Sequence, residues 1–154
     1  MTDLTALPAL LARVEAATGP DRELDAAIMA TFYTLEKRHI GCTCWTGCCP
    51  RGRHLDTVWI DPATDKWVST AAHGFTSSLD ATVALVEKMR PDWFFTVSNF
   101  SSVIDERPWA DIASRKCINE ETGYDTQDYL GRGNTPPLAL LAALLRSMIE
   151  EEGR

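Results

Sequence analysis

The chain has 154 residues, a formal net charge of −7 and a pI near 4.9, and 45% of its residues are hydrophobic. This length suits one domain with its own core, and the acidic balance disfavours a general nucleic-acid or membrane-surface binder, because phosphate groups are bound by positive fields. The chain begins without a basic segment before an apolar run, and no apolar segment approaches the ~20 residues of a membrane span, so we expect a cytoplasmic protein.

The first part of the chain is predicted to form a helical hairpin. Apolar residues at helical spacing indicate a first helix from about Thr5 to Ala17, which the Gly-Pro pair at 19–20 ends. Asp21 is expected to cap a second helix that runs to about Arg38.

Two β-prone runs follow a cysteine-rich stretch, and they predict a β-hairpin. The runs are residues 57–60 and 66–69, and the segment between them contains Asp and Pro, which favour turns. Trp59 and Trp67 are expected to meet across this hairpin, since aromatic side chains on paired strands stabilise small sheets.

The remaining elements alternate between helix and strand. A third helix is predicted from a cap at Ser77 to the residue before Pro91. Strands are predicted at 93–99 and 110–117, with a weaker strand signal near 129–130. The fold class is therefore α/β (α+β), with an α-β-β-α layered unit after the helical hairpin and the cysteine-rich loop.

A last helix is expected to start after a Thr135 cap, with Pro136 in its first turn. Its predicted buried stripe consists of Leu138, Leu141, Ala142, Leu145 and Ile149. We expect residues 1–154 to form a single domain with a Cys-rich insertion at about 39–69.

Four of the five cysteines lie between residues 42 and 49, and a histidine flanks them on each side. Zn²⁺ prefers four nitrogen or sulfur ligands in a tetrahedron, and a short glycine-containing loop can wrap thiolates around it. The candidate metal ligands are Cys42, Cys44, Cys48, Cys49, His39 and His54. A set of three cysteines and one histidine would make a structural zinc knuckle. The alternatives are redox-active or disulfide-forming thiols, and cysteines that are simply buried or free.

Basic residues accompany the cysteines: Lys37, Arg38, Arg51 and Arg53. Such a patch would contact a phosphate or an acidic partner. The alternative is a solvated loop whose positive charge balances metal-bound thiolates.

Three weaker patterns have plain structural interpretations. The glycine-rich loop at 131–135 could hold an anion at a helix start, or simply cap the helix. Cys117 and His73 are the remaining Cys/His pair, without the context of a catalytic dyad. An acidic run could bind a cation or form a solvated face. Its members are Asp105, Glu106, Asp111, Glu120, Glu121, Asp125 and Asp128. No catalytic residue is assigned from these patterns.

Three segments, Ala16–Ala27, Phe75–Val86 and Asn134–Leu145, together resemble the phage ABA (α/β/α) sandwich domain family of small phage and prophage proteins. The resemblance implies a compact α/β domain of phage origin and implies no reaction or catalytic residue. Residues 37–69, which include the cysteines, lie largely outside it.

These observations together predict a phage or prophage accessory protein of the host cytoplasm. It would act without catalysis by binding a host or phage protein, with zinc as a structural cofactor and no membrane partner. One alternative is a nucleic-acid-associated protein that uses the basic knuckle. The other is a small thiol-dependent enzyme.

Overall fold

The computed structural model describes residues 6–41, 53–99, 107–114 and 128–152, and in these ranges four helices and two three-stranded antiparallel sheets form a mixed α+β fold. The helices are α1 (Leu7–Ala16), α2 (Arg22–Phe32), α3 (Leu79–Met89) and α4 (Pro136–Glu152). The strands are β1 (Thr34–Gly41), β2 (Arg53–Asp61), β3 (Lys66–Ser69), β4 (Trp93–Ser98), β5 (Trp109–Ser114) and β6 (Asp128–Arg132). The predicted α+β class is confirmed.

Side-chain caps determine where two of the helices begin. The Asp21 carboxylate accepts hydrogen bonds from the N–H groups of Glu23 and Leu24, at 2.9 and 3.0 Å, so the predicted cap of α2 is confirmed. The cap of α3 is Ser78, whose hydroxyl accepts from the Ala81 N–H. The prediction of Ser77 for this role was wrong by one residue.

The second helix is shorter than predicted. It ends at Phe32, and Tyr33 adopts an extended conformation with φ −134° and ψ 157°. Residues that the sequence assigns to the end of the helix instead form β1, so the predicted helix to Arg38 was wrong. β1 pairs along its whole length with β2, from Thr34 opposite Ile60 outwards, and this long-range pairing outweighs the local helical periodicity.

The first sheet has the strand order β1-β2-β3, and its β2–β3 pair confirms the predicted hairpin. A register shift within this pair places Trp67 opposite Ile60 and Trp59 opposite Ser69. The expected cross-strand contact between Trp59 and Trp67 was therefore wrong, because an irregularity in the ladder changes which residues face each other.

The second sheet is an antiparallel meander with the order β4-β5-β6. The weak strand signal near 129–130 becomes a complete strand, so three strands, rather than the two predicted, separate α3 from α4 in the described ranges. Residues 115–117 of the predicted second strand lie outside them.

Helix α4 is the centre of the core, in contact with α1, α3 and all three strands of the second sheet. Every residue from Leu138 to Leu145 is buried, so the expected single buried stripe was too narrow. Two glycines of the adjoining segment allow the close approach. A Cβ at position 131 would collide with the carbonyl oxygen of Ala139, and one at position 133 would lie 2.6 Å from the Ala139 nitrogen.

Thr135 precedes α4 as predicted, but it caps the helix only through its backbone. Its carbonyl oxygen accepts a hydrogen bond of 3.0 Å from the Ala139 N–H. Its buried hydroxyl makes no hydrogen bond with the described residues, so the expected side-chain cap was wrong. Among the residues that the structure describes, no helix is long and apolar enough to cross a membrane.

Candidate functional site

The cysteine-rich segment connects two paired strands. β1 and β2 remain in register to the pair Gly41–Arg53, and residues 42–52 join these two positions. Directly opposite Cα atoms of an antiparallel pair are about 4.5–5.5 Å apart, so the two ends of the segment are held close together. The sequence predicted a loop after a helix here. The segment instead closes the outer end of a β-hairpin.

The predicted metal ligands fall on both sides of the boundary of the described residues. Cys42, Cys44, Cys48 and Cys49, together with Arg51, lie outside them. His39 is an exposed residue of β1 opposite Leu55, and His54 belongs to the next register pair, opposite Ile40.

Among the residues that the structure describes, no group of three or more His, Cys, Asp or Glu could hold a metal ion. The predicted site thus depends on the cysteines.

Two members of the predicted basic patch have different environments. The Arg38 guanidinium forms ion pairs with Asp65 and with Glu36, the latter at 2.9 Å. Hydrogen bonds first to Asp65 and then to Glu36 raise the pKa of Arg38. Lys37 is exposed and forms no ion pair within the described ranges. Lys37 therefore retains a positive charge available to a partner, while Arg38 belongs to the structure of the sheet.

One face of the β1–β2 hairpin exposes apolar side chains beside Lys37. Residues that are directly paired, or two positions apart on a strand, share a face. This rule places Leu35, Lys37 and His39 of β1 on the same face as Leu55 of β2. The side chains of Leu35 and Leu55 are 52% and 57% exposed. The face combines apolar contact area with a positive charge.

A charged cluster lies where this hairpin meets the rest of the molecule. The Lys88 ammonium group is 3.1 Å from Oδ1 of Asp61 and 3.9 Å from the centre of the Tyr33 ring. Burial opposes ionisation of Asp61, but a 2.9 Å hydrogen bond from the Ala63 N–H and the positive charge of Lys88 hold its pKa below the ordinary value. The three charged or aromatic members come from β2, α3 and the end of α2.

Burial, and then the charge of Asp61, raises the pKa of the Tyr33 hydroxyl. No sequence pattern indicates this cluster, because its members are widely separated along the chain and have no common motif. The arrangement contains a lysine, a carboxylate and a phenol, but Lys88 and Asp61 neutralise each other. Its chemistry is that of an ion pair that fastens the sheet to α3.

A cavity of about 340 Å³ lies beside this cluster, at the start of β1. Its lining includes Thr31, Tyr33, Leu35, Trp59 and Pro62. Pockets that hold ligands have volumes of about 300–1,000 Å³, so this one can accept a side chain or a small group. The cavity is continuous with the exposed face of the hairpin through Leu35.

Two residues of the predicted acidic run lie on neighbouring strands of the second sheet. Asp111 is in β5 and Asp128 is in β6, in register pairs that share a face. Burial, and then the charge of Asp128, raises the pKa of Asp111. The remaining five members of the run fall outside the described residues. Two carboxylates alone do not make a cation site.

The other predicted features have structural partners. The Asn134 side-chain amide donates a 2.7 Å hydrogen bond to the Ala17 carbonyl and connects the glycine-rich loop to the end of α1. His73 packs edge-on against the Phe75 ring, with ring centres 5.7 Å apart. Its suggested companion Cys117 is outside the described ranges. The loop at 131–135 therefore has a packing role that needs no bound anion.

Comparison with known proteins adds no relative: no family model matches the chain, and neither a curated protein nor a solved structure shows significant similarity.

Proposed function

We propose that this chain is a non-catalytic binding protein whose cysteine-rich β-hairpin is organised by a structural zinc ion. The observation that carries the zinc role is the register of β1 and β2 up to Gly41 and Arg53. This pairing holds both ends of the cysteine segment together. The entropy of closing the segment is therefore already offset by the strand ladder before any metal binds.

The ligand set that fits best has three cysteines and one histidine. Four cysteines lie within eight residues, so three of them are available for one ion together with a flanking histidine. A set with one histidine also matches the ordinary tetrahedral coordination of structural zinc. The zinc ion would fix the outer end of the hairpin and take no part in a reaction.

The binding role is supported by the exposed face of the hairpin. Leu35 and Leu55 expose more than half of their side chains next to Lys37, which forms no ion pair with the residues that the structure describes. Protein interfaces combine such apolar contacts with a few charges that orient the partner. The partner is a host or phage protein, in the host cytoplasm, if the chain is the phage accessory protein that its helical segments resemble.

Elemental analysis of the purified protein tests the zinc role. We expect one zinc ion per chain, and we expect the double variant Cys48→Ser/Cys49→Ser to lose it, because only two cysteines of the segment then remain for a set that requires three. Cys117→Ser is the matched control and should retain the metal. A metal-free protein with the same melting temperature as a zinc-supplemented sample would contradict the proposal.

Further variants separate the other interpretations of this segment. A nucleic-acid role predicts salt-sensitive binding that disappears in Arg51→Glu and Arg53→Glu. A thiol-dependent enzyme predicts that Cys48→Ser folds normally and loses a measured activity. The first result would replace the protein partner with a nucleic acid, and the second would replace the non-catalytic role.

A further inference from the structure

β1 is an edge strand over its full eight residues. It pairs with β2 on one side, and within the described ranges no strand pairs with its other side. Such an edge presents a row of backbone N–H and C=O groups that can accept a further strand. Its exposed side chains then determine which strands it accepts.

The charge of the open face selects an acidic partner. Lys37 is exposed there, while the carboxylates of Glu36 and Asp56 belong to register pairs of the opposite face. The chain as a whole has a net charge of −7, so the exposed positive charge of Lys37 is opposite in sign to that of the molecule. A carboxylate directly opposite Lys37 would form a favourable cross-strand pair.

The apolar part of the face lies towards the start of β1. Leu35 is 52% exposed, and together with Tyr33 and Trp59 it lines the cavity. A strand that runs antiparallel to β1 passes Lys37 first, then Leu35, and then the cavity. Residues at every second position of that strand fall on this face.

We propose that β1 binds an extended acidic peptide in antiparallel orientation, as a fourth strand of the first sheet. The preferred pattern is acid–x–apolar–x–apolar from the amino to the carboxyl end. The acid lies opposite Lys37, the first apolar side chain lies opposite Leu35, and the second enters the cavity beside Tyr33. This inference rests on the proposed binding function and names the chemistry of the partner.

A second copy of this chain fits the edge poorly. Antiparallel pairing of β1 with another β1, with the same face exposed in both copies and the pairing centred on Lys37, would place Lys37 of one copy opposite Lys37 of the other. Like charges directly opposite each other destabilise a sheet. The edge therefore discriminates against self-association and favours an acidic strand.

Fluorescence polarisation with a labelled eight-residue peptide tests the inference. The probe carries the acid–x–apolar–x–apolar pattern with glutamate, valine and leucine, and with threonine at the intervening positions. We expect saturable binding that weakens with salt, and Lys37→Glu should weaken it by at least about tenfold, because a like-charge pair replaces an attractive one. Lys66→Glu, the same charge change at an exposed position of β3, should leave binding unchanged.

Two altered probes separate strand addition from nonspecific attraction. A peptide with lysine in place of its glutamate should bind Lys37→Glu better than the natural chain. A peptide with proline at the intervening positions should not bind, since proline removes the N–H groups that a strand ladder needs. Equal binding of all probes, or a concentration-dependent dimer that Lys37→Glu does not weaken, would overturn the inference.

Zinc content and melting temperature are measured on the same samples. A folded, zinc-loaded protein that does not bind the probe contradicts strand addition alone. A zinc-free protein that binds the probe contradicts the zinc role alone and supports strand addition.

Discussion

Asp61 connects the first sheet to helix α3 through an ion pair. Its side chain is only 16% exposed, and its charge is balanced by the Lys88 ammonium 3.1 Å away. A partly buried carboxylate with such partners is more stable as an anion than it is in the unfolded chain. The lowered pKa of Asp61 is consequently a contribution to folding stability.

Asp61→Asn is expected to lower the free energy of unfolding by about 1 kcal/mol near neutral pH, since it removes the charge that faces Lys88. The folded pKa of Asp61 is below its ordinary value of 3.8, so its contribution is fully present above that value. The contribution disappears as the pH falls through the lower folded pKa. Urea unfolding at several pH values measures the difference.

Glu87→Gln is the matched control, because Glu87 is an exposed neighbour of Lys88 on α3 and forms no ion pair within the described ranges. We expect it to change the stability by less than about 0.5 kcal/mol. A difference between Asp61→Asn and the natural chain that persists unchanged at strongly acidic pH would show that the loss is not one of charge.

Among the elements, α4 is the one whose surroundings leave the least space for larger side chains. Its residues from Leu138 to Leu145 are buried on all sides, and the backbone of β6 comes so close that positions 131 and 133 have no space for a side chain. Alternating leucine and alanine residues supply the large and small surfaces that such packing requires.

Gly131→Ala is expected to destabilise the protein by about 1–3 kcal/mol, because its Cβ would overlap the Ala139 carbonyl and force β6 away from α4. Gly19→Ala is the control, since a Cβ there meets no atom within 4 Å. Thermal unfolding of both variants measures the difference. Similar melting temperatures for the two would mean that β6 can shift without loss of packing.

The elements that the sequence predicts correctly are those with strong local signals. The Asp21 cap, the Gly-Pro stop after α1 and the turn before β3 depend on neighbouring residues alone. The predicted end of α2 was wrong because residues 34–41 fit both a helix and a strand locally, and pairing with β2 decides between the two.

The same distinction applies to the candidate site. The sequence identifies the cysteines by their clustering, and that prediction still awaits a metal analysis. It could not identify the hairpin that brackets them, nor the exposed edge beside Lys37, because both follow from the strand order. The Asp61–Lys88 ion pair likewise arises from tertiary contact between β2 and α3.

At the scale of the whole molecule, the β1–β2 hairpin and the main core are built from different buried residues. The principal cluster of buried residues is built from α1 to α4 and the second sheet, and it contains no buried residue of β1 or β2. The partly buried Trp59 of β2 packs against this cluster. Zinc at the end of the hairpin would therefore stabilise one part of the molecule more than the other.

Removal of zinc with a chelator is expected to increase amide hydrogen exchange in β1 and β2 by at least about tenfold, while α4 retains its protection. Exchange mass spectrometry before and after chelation measures this contrast, with a zinc-reloaded sample as the control. Loss of protection in α4 to the same extent would mean that the metal supports the entire fold.

The packing of α1 against α4 also has a consequence for synthesis. These helices are far apart in the chain, yet Leu7, Leu10 and Val14 of α1 are buried in the cluster that α4 completes. A ribosome that adds about 5–20 residues per second needs roughly 7–27 s to extend the chain from the end of α1 to the end of α4. The apolar face of α1 lacks its contacts with α4 during that time. We therefore expect the core to close only after translation has passed α4. We also expect chaperones to bind the chain until then.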